Sequence, residues 1–223
     1  THQKARIMQL STMFVCLLLV PSLTLAASRC AEKLKADIYI LVDTSGSMSV
    51  NEFNTELSFV VGIISNFTIG LSDVQIAFGL YSTKFVHQFD LNKTTNKSTI
   101  IEEVLGKKHL KGYTYTYLAL EKITQDGYLS SPTHGSRPGV RKYLLLVSDG
   151  TSKDRTKTLA AAKVLRDNGV TIIGVDINKA VQTETREVTG NASNFFHVAK
   201  FSNLASIVPQ VLGRIYQISK LSK

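Results

Sequence analysis

Cysteine is scarce in this chain. Only Cys16 and Cys30 occur in 223 residues, and Cys16 lies in an N-terminal apolar run that reads as a cleaved leader. The mature chain then keeps one thiol and has no partner for an internal disulfide. In an oxidising compartment Cys30 points to a disulfide-linked oligomer, to a partner cysteine beyond this sequence, or to an unpaired thiol in a flexible arm. Long apolar runs are equally rare. Phe14–Val20 is followed by Pro21 and the small residues Ala26, Ala27 and Ser28, the h-region and cleavage site of a secretory signal peptide, too short to span a bilayer. Cleavage is expected after Ala26, leaving residues 1–26 as signal peptide and 27–35 as an N-terminal arm. Thr1–Ile7 are unlike a natural start, and Met8 is the candidate initiator. No later stretch is apolar enough for a membrane span or a lipid-anchor tail, so a soluble, secreted chain is expected. There is no internal repeat and no low-complexity segment. No G-x-x-x-x-G-K-[ST] loop and no G-x-S-x-G elbow occurs, which leaves nucleotide hydrolysis and serine acyl transfer without a basis. His87, His109, His134 and His197 stand apart without ligand spacing, and packing or surface roles are expected of them.

What is present is an ordinary globular composition, 43% hydrophobic and 19% charged, enough for one sizeable core. The formal net charge is +9, two units of it from Lys4 and Arg6 in the leader. An excess of that sign favours acidic partners, such as sulfated glycans or acidic protein surfaces, and nucleic acid is not expected outside the cell. The densest basic cluster, Lys107, Lys108, His109 and Lys111, reads as a solvated loop. Four acceptor sequons, at Asn66, Asn92, Asn96 and Asn191, lie behind the leader and point to a glycosylated, exported surface.

From residue 36 short apolar strands alternate with longer amphipathic stretches. That pattern predicts an α/β fold: a doubly wound, mainly parallel six-stranded sheet of Rossmann-like design, with one antiparallel edge strand and helices on both faces. The expected strands are Ala36–Val42, Val74–Tyr81, Lys84–Phe89, Arg141–Ser148, Thr171–Val175 and Asn194–Val198. The expected helices are Glu52–Ser65, Ser98–Leu105, Thr116–Thr124, Lys157–Asn168, Thr183–Thr189 and Leu204–Ser219, with a short tail at 219–223. The runs Ile38–Val42 and Tyr143–Val147 are nearly continuously apolar, as central strands covered on both faces must be. Only Ser82-Thr83 separates the second strand from the third, which makes that pair a hairpin. Ser130–Gly139, rich in Ser, Pro and Gly, is expected to be an exposed excursion.

Ligands of open α/β sheets bind beyond the carboxyl ends of the parallel strands. Three segments there carry oxygen side chains: Asp43-Thr44-Ser45-Gly46-Ser47 after the first strand, Gly112-Tyr113-Thr114-Tyr115-Thr116 ahead of a helix, and Ser148-Asp149-Gly150 after the central strand. Asp43, Ser45 and Ser47 alternate in a turn that Gly46 makes permissive, so their oxygens can converge. Carboxylates and hydroxyls are hard donors, suited to Mg²⁺, Mn²⁺ or Ca²⁺ rather than zinc. Two carboxylates and three hydroxyls leave coordination positions for a carboxylate from a partner. Asp43-Thr44-Ser45 taken alone is equally well read as a helix-capping turn without metal.

These residues resemble the metal-ion-dependent adhesion site of von Willebrand factor type A domains, and the resemblance covers roughly Ala36 to Ile218. It implies that Ser45 and Ser47 bind the metal directly, Asp43 acts mostly through water, Thr114 supplies a second-loop hydroxyl and Asp149 a third-loop carboxylate. The order of elements is most similar to the matrix branch of fibril-associated collagens, matrilins and cochlin-like proteins. That implies a secreted adhesion module of the extracellular matrix, not an enzyme, gripping an acidic residue of a matrix ligand such as collagen, with a last helix able to slide. Lys111-Gly112-Tyr113 stands where the family often has paired glycines, and no cysteine near Ile215-Tyr216 answers Cys30. The rival readings are a structural matrix module that assembles without metal, and a phosphatase of the haloacid dehalogenase type. In the latter, Ser45 stands where a general acid is needed, and a hydroxyl protonates a leaving group poorly. Helices antiparallel to the strands are expected to carry all four sequons to the pole away from the metal.

Overall fold

A strand buried on both faces must find a hydrophobic layer above and below it, and β1 (Ala36–Asp43) is buried at every position. The computed structural model describes residues 33–177 and 183–221. The leader, its cleavage site, Met8, Cys16 and Cys30 lie outside the described residues. β1 pairs in parallel with β2 (Val74–Tyr81) on one side and β4 (Arg141–Ser148) on the other, Ala36 standing level with Val74 and Arg141. β3 (Phe85–Phe89) runs antiparallel to β2 at one edge, while β5 (Val170–Ile177) and β6 (Phe195–Val198) extend the parallel sheet on the other side. The order of the six strands is β3-β2-β1-β4-β5-β6. The predicted doubly wound sheet with one antiparallel edge strand is therefore the fold.

Alternation along β1 divides the core. Ile38, Ile40 and Val42 pack beneath α1 (Val50–Ser65), α2 (Lys97–Leu105) and α6 (Leu204–Lys220). Tyr39 and Leu41 face α3 (Thr116–Gln125), α4 (Arg155–Asp167) and α5 (Thr183–Thr189). α1 starts at a capping box, in which the Ser49 side chain accepts from the Glu52 N–H and the Glu52 carboxylate accepts from the Ser49 N–H. Its inward stripe runs Phe53, Glu56, Leu57, Val60, Ile63 and Ile64, the spacing of one helical face with a single acid inside it.

The Ser130–Gly139 segment departs from expectation. Ser136 is buried, and Arg137 reaches into the foot of the sheet. There its Nε donates to Asp37 Oδ1 at 2.7 Å, and its guanidinium also donates to the carbonyls of Ala36, Leu71 and Asp73. Lys142 donates to the other Asp37 oxygen. The physical reason is Asp37 itself: a fully buried carboxylate needs cationic partners, and the loop supplies one of them.

Candidate metal centre

β1 and β4 are neighbours in the sheet, yet the chain leaves β1 toward β2 and leaves β4 toward β5, so their carboxyl ends flank the crevice where the winding reverses. Asp43 is the last residue of β1, and Asp149 directly follows β4. Asp43 Oδ1 accepts from the Ser45 N–H at 2.7 Å and Oδ2 accepts from the Ser148 hydroxyl at 3.2 Å. Ser45 Oγ and Ser47 Oγ share a hydrogen bond of 2.9 Å, and Ser47 donates to Asp149 Oδ1 at 2.8 Å. Four of the five expected residues are thus linked by hydrogen bonds, and three of them, Ser45, Ser47 and Asp149, are linked oxygen to oxygen.

Thr114 enters through its backbone. Its carbonyl accepts from the Lys153 N–H at 2.9 Å, and Gly112, two residues earlier, accepts from the Gly46 N–H at 2.8 Å. The second loop is thereby fastened to both of the others, with Thr114 itself buried. Gly112 has φ +100°, and a Cβ there would run into the Thr83 hydroxyl, which instead accepts from the Tyr113 N–H at 2.9 Å. Only glycine fits that place without strain.

The charges are crowded. Burial first, and the negative charge of Asp149 second, push Asp43 up to about 7, against hydrogen bonds from Ser45 and Ser148 that favour its ionised form. Burial also raises Asp149, opposed by its bond from Ser47. Beside them lies a residue the sequence did not single out. Glu56 is fully buried, neither of its carboxylate oxygens has a hydrogen-bond partner among the described residues, and burial followed by the charges of Asp43 and Asp149 holds it well above the usual carboxylate range.

His109 was expected to pack or to lie on the surface. It is bonded through Nε2 to the Ser45 carbonyl at 2.8 Å, and its ring stacks on Phe53 at 5.3 Å between centroids. Leu110 N–H donates to the Thr44 hydroxyl at 2.9 Å, which fastens the same loop a second time. Nor do all the histidines stand apart. His87 Nε2 and His134 Nδ1 meet the same oxygen of Asp90, at 2.9 and 2.8 Å, and His197 is bonded to Asp176 at 2.9 Å. The fold juxtaposes β3 with the segment after α3, a proximity invisible in spacing along the chain.

Among the described residues no three His, Cys, Asp or Glu side chains form a metal-ligating group, so a cation at this centre would have to draw on hydroxyls beside its two carboxylates. The spacing of the donors is compatible with one. Oxygens around a cation at roughly 2.1 Å stand about 3 Å apart on neighbouring octahedral positions, and the Ser45–Ser47 and Ser47–Asp149 separations are 2.9 and 2.8 Å.

A doubly wound sheet with a hydroxyl-rich crevice at its switch point defines a class, and comparison narrows it. The family model for the von Willebrand factor type A domain matches residues 37–210. The human collagen alpha-6(VI) chain is 34% identical over 176 residues, which is 79% of this chain and 8% of that one. The human collagen alpha-1(XX) chain is 34% identical over 158 residues, covering 71% of this chain and 12% of that one. This chain thus spans only a small part of the curated relatives it matches. Among solved structures, proximal thread matrix protein 1 from the mussel byssus superposes with a TM-score of 0.75 at 24% identity, over 81% of this chain and 47% of that one. Manganese-loaded TRAP protein of Plasmodium vivax gives 0.65 at 18% identity, over 79% and 73%. The chain belongs to the von Willebrand factor type A family, and its curated relatives include collagen chains.

Proposed function

We propose that this domain is a secreted binding module of the extracellular matrix that holds a divalent cation among Asp43, Ser45, Ser47, Thr114 and Asp149. The observation that carries the reading is the run of oxygens from Ser45 to Ser47 at 2.9 Å and from Ser47 to Asp149 at 2.8 Å, at the switch point of the sheet. Hard oxygens suit Mg²⁺ first, with Mn²⁺ or Ca²⁺ as alternatives. A bound cation supplies an electron-poor centre with open positions, able to take a carboxylate from a matrix protein such as collagen. Ser45 and Ser47 contribute neutral oxygens and leave the charge of the cation largely uncancelled, while Ser148 and the Ser45 N–H orient Asp43. A mussel byssus matrix protein has been solved with zinc in its own metal-ion-dependent adhesion site, which makes zinc the competitor to include in any titration. Among the described residues no helix is long and apolar enough to cross a membrane, and the location is read from the collagen relatives.

The same reading makes the four sequons glycan acceptors. Asn66, Asn92, Asn96 and Asn191 are all exposed. Asn66 closes α1, Asn96 caps α2, Asn92 follows the antiparallel strand and Asn191 follows α5, which directs all four toward the pole opposite Asp43.

Isothermal titration of Mg²⁺ tests the centre. The wild-type domain is expected to bind, and Asp149→Ala to lose binding while its circular dichroism is unchanged. A wild type that takes up no cation, or an Asp149→Ala variant that binds equally well, would leave a module that assembles by metal-independent protein contacts.

A further inference from the structure

Beside the candidate centre lies a strip that the cation does not explain. Tyr113 is 60% exposed, an unusual position for a large aromatic side chain. Its ring stands 6.2 Å from that of Tyr115, which stands 5.9 Å from that of Tyr117. Two ammonium groups flank this ladder: Lys153 Nζ lies 5.2 Å from the centre of the Tyr113 ring, and Lys157 Nζ lies 5.2 Å from that of Tyr117. Lys111 adjoins the strip, and among the described residues neither it nor Lys153 has a carboxylate partner, whereas Lys157 is paired with Asp154 at 3.3 Å. The strip is held in place by its backbone. Lys153 N–H bonds Thr114, Tyr115 N–H bonds the Ser82 carbonyl and Tyr113 N–H bonds Thr83, so the backbone that carries the strip is fastened before any ligand arrives.

The rings are inclined to one another by 58° and 74°, so a ligand following this strip must offer successive apolar faces at differing angles and fixed negative charges beside them. A sulfated sugar chain does both. Each pyranose presents a face of C–H groups to a tyrosine, and its sulfates stay ionised at every physiological pH. An acidic peptide offers carboxylates without the repeating flat faces. We infer that Tyr113, Tyr115, Tyr117, Lys111, Lys153 and Lys157 form a binding strip for a sulfated glycosaminoglycan, independent of the metal centre. The surplus of basic residues acts in the same direction by drawing a polyanion toward the surface: the formal charge of +9 falls only to +7 once Lys4 and Arg6 leave with the leader.

The experiment is heparin binding by titration in EDTA over a series of salt concentrations, so that its outcome and that of the metal reading are separate. The wild-type domain binds, and the double variant Tyr113→Ala/Lys153→Ala binds roughly tenfold more weakly, with a slope of log affinity against log salt shallower by about one. Lys33→Ala removes one charge three residues ahead of β1, at the opposite end of the sheet, and leaves binding unchanged. Desulfated heparin does not bind. The inference is overturned if wild type fails to bind, if Lys33→Ala weakens binding as much as the double variant, or if polyglutamate binds as tightly as heparin, which would assign the strip to acidic protein segments.

Discussion

Replacing Glu56 by leucine is expected to stabilise the cation-free domain, and to do so more strongly at pH 7 than at pH 5. Glu56 lies in the inward stripe of α1 among Phe53, Leu57 and Val60, fully buried, with both oxygens unpartnered. Burial first, then Asp43 and Asp149, raise its proton affinity in the fold. In the unfolded chain it titrates as an ordinary glutamate, near 4.3. Below that pH both states hold the proton and no penalty arises. As pH rises past it the unfolded chain ionises while the fold keeps its proton, and stability falls by roughly 1–1.5 kcal/mol per pH unit until the folded group ionises too. Leucine removes this pH-linked cost. It also replaces a buried polar group without partners, worth about 1–3 kcal/mol at any pH, by a side chain suited to its neighbours.

Urea denaturation in EDTA at pH 5 and pH 7 measures both contributions. Glu56→Gln separates them, because the amide stays polar and unpartnered but cannot ionise: it should gain at pH 7 and gain little at pH 5. Asp43, pushed up to about 7 by burial and Asp149, contributes in the same direction, so both variants keep part of the wild-type pH slope. A leucine variant whose gain is equal at the two pH values, or which is less stable at both, would refute the reasoning.

Two further substitutions test how the loops are held. Gly112→Ala places a Cβ against the Thr83 hydroxyl at a residue with φ +100°; a loss of about 1–3 kcal/mol is expected, read from the thermal midpoint, and an unchanged midpoint would show that the second loop is free to shift. Arg137→Ala withdraws one of the two cations that face Asp37 and the donors to the carbonyls of Ala36, Leu71 and Asp73; the urea midpoint should fall by the equivalent of about 3–5 kcal/mol, and a loss below about 1 kcal/mol would mean that Lys142 suffices.

The sheet was legible because its strands are apolar on both faces: Ile38–Val42 and Tyr143–Val147 admit no other placement than the middle, and the structure puts them there as β1 and β4. The oxygen side chains of the centre were legible for a related reason. A polar turn directly after such a strand can only emerge at the carboxyl end of the sheet. What could not be read depends on contacts between distant elements. Gln88 is skipped in the pairing of β2 with β3, where Gly79 faces His87 and Phe78 faces Phe89, and Gly79 itself answers to a neighbouring strand, since a Cβ there would strike the Tyr39 hydroxyl. Glu56 escaped notice because periodicity assigns an acid to the solvent side of a helix unless its neighbours on the stripe are counted against it. His109 escaped because a loop histidine shows no sign in sequence of the carbonyl it will bond.

The loops around the centre are joined to one another by the protein itself. Gly46 bonds Gly112, Lys153 bonds Thr114, Leu110 bonds Thr44 and His109 bonds Ser45, and none of these contacts needs a cation. Ordering three loops would otherwise oppose every binding event, so a centre built in advance retains more of its gross interaction energy as affinity. The consequence is crowding. Asp149 raises the proton affinity of Asp43, and both raise that of Glu56, so the cation-free fold relieves that repulsion by holding protons. A divalent cation would relieve it by charge instead, and under the proposed function the carboxyls that destabilise the cation-free fold would be the ones that attract the metal.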